Sequence, residues 1–276
     1  MNRPLKNFLD VLLCIAIFAV VQIFIQLSVA GIYSYVKEVD FTTVSNGLTA
    51  GKYSDLIVVS SVLSSLVTLL VFTFGKFAVI SRNYLASHPW GTLAWVALLS
   101  LGLILPAEWV YERLQITMPE STEAMFEGIM REPLGYMAIG IFAPVVEEIV
   151  FRGAILRILL GLFSRSWHWV AIIFSALIFG AIHLNLAQGL HAFVIGLLLG
   201  WMYYRTSSVV PGILLHWINN TVAYLMFHLM PQFGDGKLID FFHGDESLMY
   251  KGLGCSLLII LPSLFQIARR MKRTDR

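Results

Sequence analysis

Charged residues are scarce in this chain. Only 13% of its 276 residues are Asp, Glu, Lys or Arg, against 58% hydrophobic. A soluble domain carries about 25% charged and about 45–50% apolar residues. Mean hydropathy is +0.77. There is too little polar surface to clothe a soluble core, which excludes a soluble enzyme and a disordered chain. Net charge is only +2, with no basic face, so no nucleic-acid partner is expected. Cysteine is nearly absent: Cys14 and Cys255 both lie inside apolar runs and cannot build a disulfide framework. No repeat, low-complexity tract or interdomain linker breaks the chain. The expected fold is all-α: a polytopic membrane protein, one domain over 1–276, a bundle of about eight transmembrane helices around an intramembrane polar cavity.

What is present is a series of long apolar runs. A helix crosses the hydrocarbon core, about 30 Å thick, in roughly 20 residues. Eight stretches approach that length, near 8–36, 56–80, 92–112, 133–160, 168–187, 189–204, 208–230 and 251–268. The sixth is short, separated from the fifth by a tight turn around Asn185 to Gly189. The first is too long for a signal-peptide core and no small-residue cleavage pattern follows it, so it is read as a retained helix.

Cationic residues set the orientation. With the N-terminus inside, twelve of them face the cytoplasm: Arg3, Lys6, Lys76, Arg82, Arg157, Arg165, Arg205, Arg269, Arg270, Lys272, Arg273 and Arg276. Six lie opposite: Lys37, Lys52, Arg113, Arg131, Lys237 and Lys251. The 107–132 connection alone holds six Glu. Eight crossings with both termini cytoplasmic in the cell membrane fit this bias.

One cation of the nineteen remains, Arg152, and it falls inside the fourth span with Glu147 and Glu148. Each ionised side chain near a helix centre costs about 2.5–3.5 kcal/mol on insertion scales. Three unpaired at the midplane would cost roughly 8–10 kcal/mol. Such residues are functional candidates by default. Glu148 and Arg152 are four apart, so they share a face and can pair. Glu147 is rotated by about 100° and can point elsewhere. This offers one carboxylate tied to a cation and a second free for chemistry. The plainer reading of Glu148 and Arg152 is a structural ion pair that pins helix packing. Pro144, one turn earlier, removes a backbone donor and frees a carbonyl close by.

Two neighbouring spans add polar groups: Phe179-Gly-Ala-Ile-His183 in the fifth and His216-Trp-Ile-Asn-Asn220 in the seventh. His216 and Asn220 share one face. Asn219 points differently and suits a plain interhelical hydrogen bond. His88, His168, His228 and His243 fall at span ends or in loops. His191 opens the sixth span and is read as lying outside the site.

A carboxylate, two imidazoles and an amide within a membrane suit hydrolysis of an amide bond. A Glu in an apolar setting makes a better general base near neutral pH. His or Asn donors can stabilise the oxyanion. Alternatively Glu147, His183 and His216 could ligate a Zn²⁺ that acidifies the water; a metal-free route fits the residues equally. Other routes lack their signatures. No His-Glu-x-x-His occurs, and no Gly-x-Ser-x-Gly. The Gly234-Asp235-Gly236 triplet sits in a polar loop, away from any span.

Glu147-Glu148-x-x-x-Arg152, Phe179-x-x-x-His183 and His216-x-x-x-Asn220, in that order on three spans, resemble the CAAX protease and bacteriocin-processing (CPBP, or Abi) family, which includes type II CAAX prenyl endopeptidases. The resemblance covers about 130–230. It implies an eight-helix membrane bundle and an intramembrane endopeptidase. Glu147 would be the water-activating base, assisted by His183; His216 and Asn220 would form the oxyanion site; Glu148 and Arg152 would shape it. The family is commonly labelled metalloprotease. Short loops and the lack of an extra domain resemble bacterial members, which favours a membrane-associated peptide or protein substrate over a prenylated CAAX protein. Two readings of other classes compete: a proton- or ion-coupled transporter using the Glu147, Glu148 and Arg152 cluster, and a non-catalytic scaffold or immunity protein.

Overall fold

The computed structural model describes residues 3–80, 83–230 and 237–271. Arg82, Lys272, Arg273, Arg276 and the 234–236 triplet lie outside the described residues. The protein is 84% helical, with no strand among the described residues. Among the described residues the helices follow in order, with a 3-10 turn at Arg165–Trp167 between the seventh and eighth: α1 (Arg3–Lys37), α2 (Phe41–Thr49), α3 (Ser54–Phe74), α4 (Asn83–Ala86), α5 (Trp90–Leu114), α6 (Glu120–Arg131), α7 (137–160), α8 (His168–Ala181), α9 (Leu186–Thr206), α10 (Val210–Leu229), α11 (Leu238–Phe241) and α12 (Glu246–Arg270).

Five of these, α1, α3, α5, α9 and α12, are long and apolar enough to cross a membrane by length and composition. The other three expected spans are helical but depart from an apolar rod. The fourth, α7, is broken by π-helical stretches at Met137–Phe142 and Glu148–Leu156. The fifth, α8, ends at Ala181, short of the expected 187. The seventh, α10, runs 20 residues and carries His216, Asn219 and Asn220. The amphipathic helices α2 and α6 lie in segments read as connections.

Local chemistry sets the boundaries. The Asp40 carboxylate accepts from the Thr43 amide at 3.1 Å and opens α2. Asn185 accepts from Gln188 N at 2.9 Å and opens α9, and Asp245 accepts from Leu248 N at 3.0 Å to open α12. Each satisfies one of the donors that a helix start leaves over. Gln115 and Ser207, at φ 52°, close α5 and α9 in left-handed conformation.

Three apolar clusters hold the bundle. The largest centres on Val150, Phe151, Ala154, Ile155 and Leu156 of α7, packed by Val11 and Cys14 of α1, Phe72 of α3 and Ile172 and Phe179 of α8. A second joins α5, α9, α10 and α12 through Leu99, Leu199, Leu215 and Ile267. A third gathers α1, α2, α3 and α6. Outward faces remain apolar, with Phe24 65% and Leu258 74% exposed, as lipid contact requires. Polar cross-ties are few and interhelical. The Ser100 hydroxyl of α5 donates to Leu215 O of α10 at 3.0 Å, and Ser175 of α8 donates to Phe151 O in the π-helical part of α7 at 3.2 Å.

Candidate active site

The site forms where α7 meets α8, α9 and α10. Around Met137–Phe142 the amides pair five residues back, as Ala143 N with Ala138 O. In that register Ile139 O would take the amide of residue 144. Pro144 has none. The orphaned Ile139 carbonyl instead accepts from Asn220 Nδ2 at 3.0 Å. Tyr136 adds a second tie to α10: its hydroxyl meets Thr221 Oγ1 at 3.0 Å and accepts from Trp217 Nε1 at 3.0 Å. The proline therefore fixes where α10 docks, one turn before Glu147.

Glu148 and Arg152 expose only 0% and 1% of their side-chain surface, with Arg152 Nη1 donating to Glu148 Oε1 at 2.8 Å. Arg152 also reaches Gly196 O at 3.5 Å. Its guanidinium lies 4.3 Å from the Phe179 ring centroid, a cation–π contact in a desolvated place. Two glycines make room. A Cβ at Gly196 would stand 3.2 Å from Arg152 Nη2, and one at Gly212 would stand 2.5 Å from Glu148 Oε2. The Glu148 carboxylate thus rests against the first turn of α10, the positive end of that helix.

Glu147 differs. Its side chain keeps 18% exposure, and its Oε2 lies 3.8 Å from His216 Nε2. His216 Nδ1 lies 3.5 Å from Glu148 Oε1, too poorly aligned for a hydrogen bond. One imidazole therefore stands between two carboxylates that follow each other in sequence.

His183 lies past the end of α8, in the turn to α9. Its Nδ1 sits 2.9 Å from Phe179 O. A carbonyl only accepts, so Nδ1 carries a proton, and in the neutral ring Nε2 is the free acceptor. Phe179 contacts both imidazoles edge-on, its ring centroid 5.3 Å from His183 and 5.9 Å from His216. This spacing bears on the metal question. Among the described residues no three His, Cys, Asp or Glu side chains gather closely enough to hold a metal ion. Glu147, His183 and His216 do not gather into such a ligand triad. The residues do not fit a bound Zn²⁺.

His191, read from sequence as outside the site, belongs to its border. Its Nε2 lies 3.3 Å from Asn219 Nδ2, and it is within electrostatic reach of His216 and His183. Asn219 does make an interhelical hydrogen bond. The signal that could have found the pair is the placement of His191 one turn into α9, directly after the His183 turn.

These helices define a class: an all-α, multi-pass membrane protein whose interior holds a buried ion pair, an accessible carboxylate and several imidazoles. Comparison with known proteins places it more closely. Residues 130–222 match the family model described as type II CAAX prenyl endopeptidase Rce1-like. That span contains all three motifs, and the resemblance read from them is borne out. The Bacillus subtilis protein described as "Putative membrane peptidase YdiL" is 31% identical over 108 residues, which is 39% of this chain and 43% of that protein. The chain thus spans less than half the length of this curated relative. No solved structure matches it.

Proposed function

We propose that the protein is an intramembrane endopeptidase that hydrolyses a peptide bond in a membrane-associated peptide or protein. Its catalytic core spans about 130–230. Glu147 takes a proton from a water as that water attacks the scissile carbonyl, then delivers it to the leaving amine. The bare Nε2 of His183 accepts from the same water and orients it. His216 and the second N–H of Asn220 stabilise the oxyanion. Glu148 and Arg152 fix the helix that presents Glu147. The groups that act on water and carbonyl are thus a carboxylate, two imidazoles and an amide. The protein sits in the cell membrane with both termini in the cytoplasm.

One observation carries this reading. Of two adjacent intramembrane carboxylates, Glu148 is wholly buried and ion-paired while Glu147 remains partly exposed beside an imidazole. Paired carboxylates with such different surroundings suit a division between support and acid–base work. The match of 130–222 to an endopeptidase family supports it.

The test compares membrane proteomes and released peptides from cells expressing wild type or Glu147→Gln at matched abundance. Peptide ends that appear only with wild type are expected, and they name the substrate. Identical peptide sets, with both proteins folded and a Gln-variant trap capturing nothing, would overturn the reading in favour of a scaffold or immunity protein.

A further inference from the structure

Four polar groups on three helices form a chain that ends at the carbonyl Pro144 leaves free. Ile139 O accepts from Asn220 Nδ2 at 3.0 Å. Asn220 Oδ1 accepts from Asn219 Nδ2 at 3.3 Å. Asn219 Nδ2 also lies 3.3 Å from His191 Nε2. The Tyr111 ring lies against His191, centroids 5.9 Å apart, and the Tyr111 hydroxyl is occupied with Ala187 O at 3.2 Å.

The chain has a direction, set at one end. A backbone carbonyl can only accept, so Asn220 must present nitrogen to Ile139. Its oxygen is then the acceptor toward Asn219, which must present nitrogen in turn. An amide nitrogen has two hydrogens. One goes to Asn220 and the other to His191, so His191 Nε2 must be bare. A single backbone carbonyl on α7 thereby dictates the tautomer of an imidazole on α9.

We propose that His191 is a positioning residue for the reaction proposed above, acting through Asn219 as the terminal acceptor that locks Asn220 with its amide nitrogen toward α7. The inference rests on that peptidase reading for its catalytic consequence only. Were His191 Nε2 protonated, Asn219 would turn its oxygen toward it and away from donating to Asn220. Asn220 would then turn its own oxygen against Ile139 O, where two acceptors repel. The N–H of Asn220 offered to the oxyanion would be lost with that rotation. No other side chain on α9 supplies an acceptor to Asn219, so the role falls to His191 by geometry.

The experiment has two arms on the full chain in nanodiscs. The first is ¹⁵N NMR of histidine-labelled protein, with the His191 signal assigned by its loss in His191→Gln. A protonated Nδ1 and bare Nε2 are expected in wild type. Asn219→Asp, whose carboxylate only accepts, should move the proton to Nε2. A wild-type Nε2 that carries a proton would overturn the chain, as would one tautomer shared by wild type and Asn219→Asp. The second arm measures kcat and KM. His191→Gln keeps an acceptor for Asn219 and should hold kcat within about threefold of wild type. His191→Phe fills the ring volume without an acceptor and should lower kcat by about tenfold to 10²-fold, toward the loss seen when an oxyanion donor is removed, with KM little changed. Equal kcat for the two variants would overturn the positioning role. The tautomer readout needs no turnover, so failure of the peptidase reading and failure of the chain are told apart.

Discussion

Arg152 shows how much of a residue's setting depends on what is missing around it. The guanidinium is held by Glu148, by Gly196 O and over the Phe179 ring. That nest exists because Gly196 and Gly212 carry no Cβ. The pairing with Glu148 was legible from the four-residue spacing. The glycines were not, because a glycine in a transmembrane helix has many uses and only the approach of a second helix selects one. The same limit applies to His191: its position in the sequence says nothing about Asn219 until α9 and α10 are side by side. Removing one partner of a buried ion pair costs about 3–5 kcal/mol, since the other charge is stranded. Arg152→Ala is therefore expected to lower the thermal midpoint in detergent as well as turnover. Thermal unfolding at matched detergent concentration reads the effect. An unchanged midpoint would mean that Glu148 is neutral or reached by water without its partner.

At the scale of elements, the sequence marked eight apolar stretches, and helices occupy all eight. Periodicity and length suffice for that. They did not mark where a helix changes register. Within the π-helical parts of α7, Ile139 O accepts from Asn220 on α10 and Phe151 O accepts from Ser175 on α8. Both partners are remote in sequence. Nor did composition reveal α6, whose acidic run Glu120, Glu123 and Glu127 reads as a connection until its one buried residue, Ile129, packs on the α1–α3 cluster. The coupling between Pro144 and Asn220 is measurable. Asn220→Leu strands a partly buried carbonyl inside the bundle, at a cost of about 1–3 kcal/mol. In a Pro144→Ala background residue 144 can donate to Ile139 O again, so the same change should cost less. A double-mutant cycle on unfolding free energy should give a coupling of at least about 0.5 kcal/mol. Strictly additive costs would show that Asn220 does not serve that carbonyl.

The whole molecule must also be placed in the bilayer. The first cluster is built on α7 and the third takes in its Ala138, while the second reaches α7 only through α9 and α10, which pack against it. Arg205 closes one end of this assembly: its Nε donates to Met271 O at 2.5 Å and its Nη2 to Ala268 O at 2.8 Å. It thereby ties the end of α9 to the end of α12, where Arg269 and Arg270 also lie. A cationic end facing the cytoplasm is what the positive-inside bias demands. The acidic α6 and the Asp40 turn then fall at the opposite face. Single-cysteine labelling tests the arrangement. Ser121 on α6 and Ser164 before α8 are both exposed, and the native cysteines are removed with Cys14→Ala and Cys255→Ala. In intact cells a membrane-impermeant maleimide should label Ser121→Cys. Ser164→Cys should be labelled only after permeabilisation. The reverse pattern would invert the molecule. Glu147 would then lie at the depth counted from the other leaflet, and a substrate would have to approach from the opposite side of the membrane.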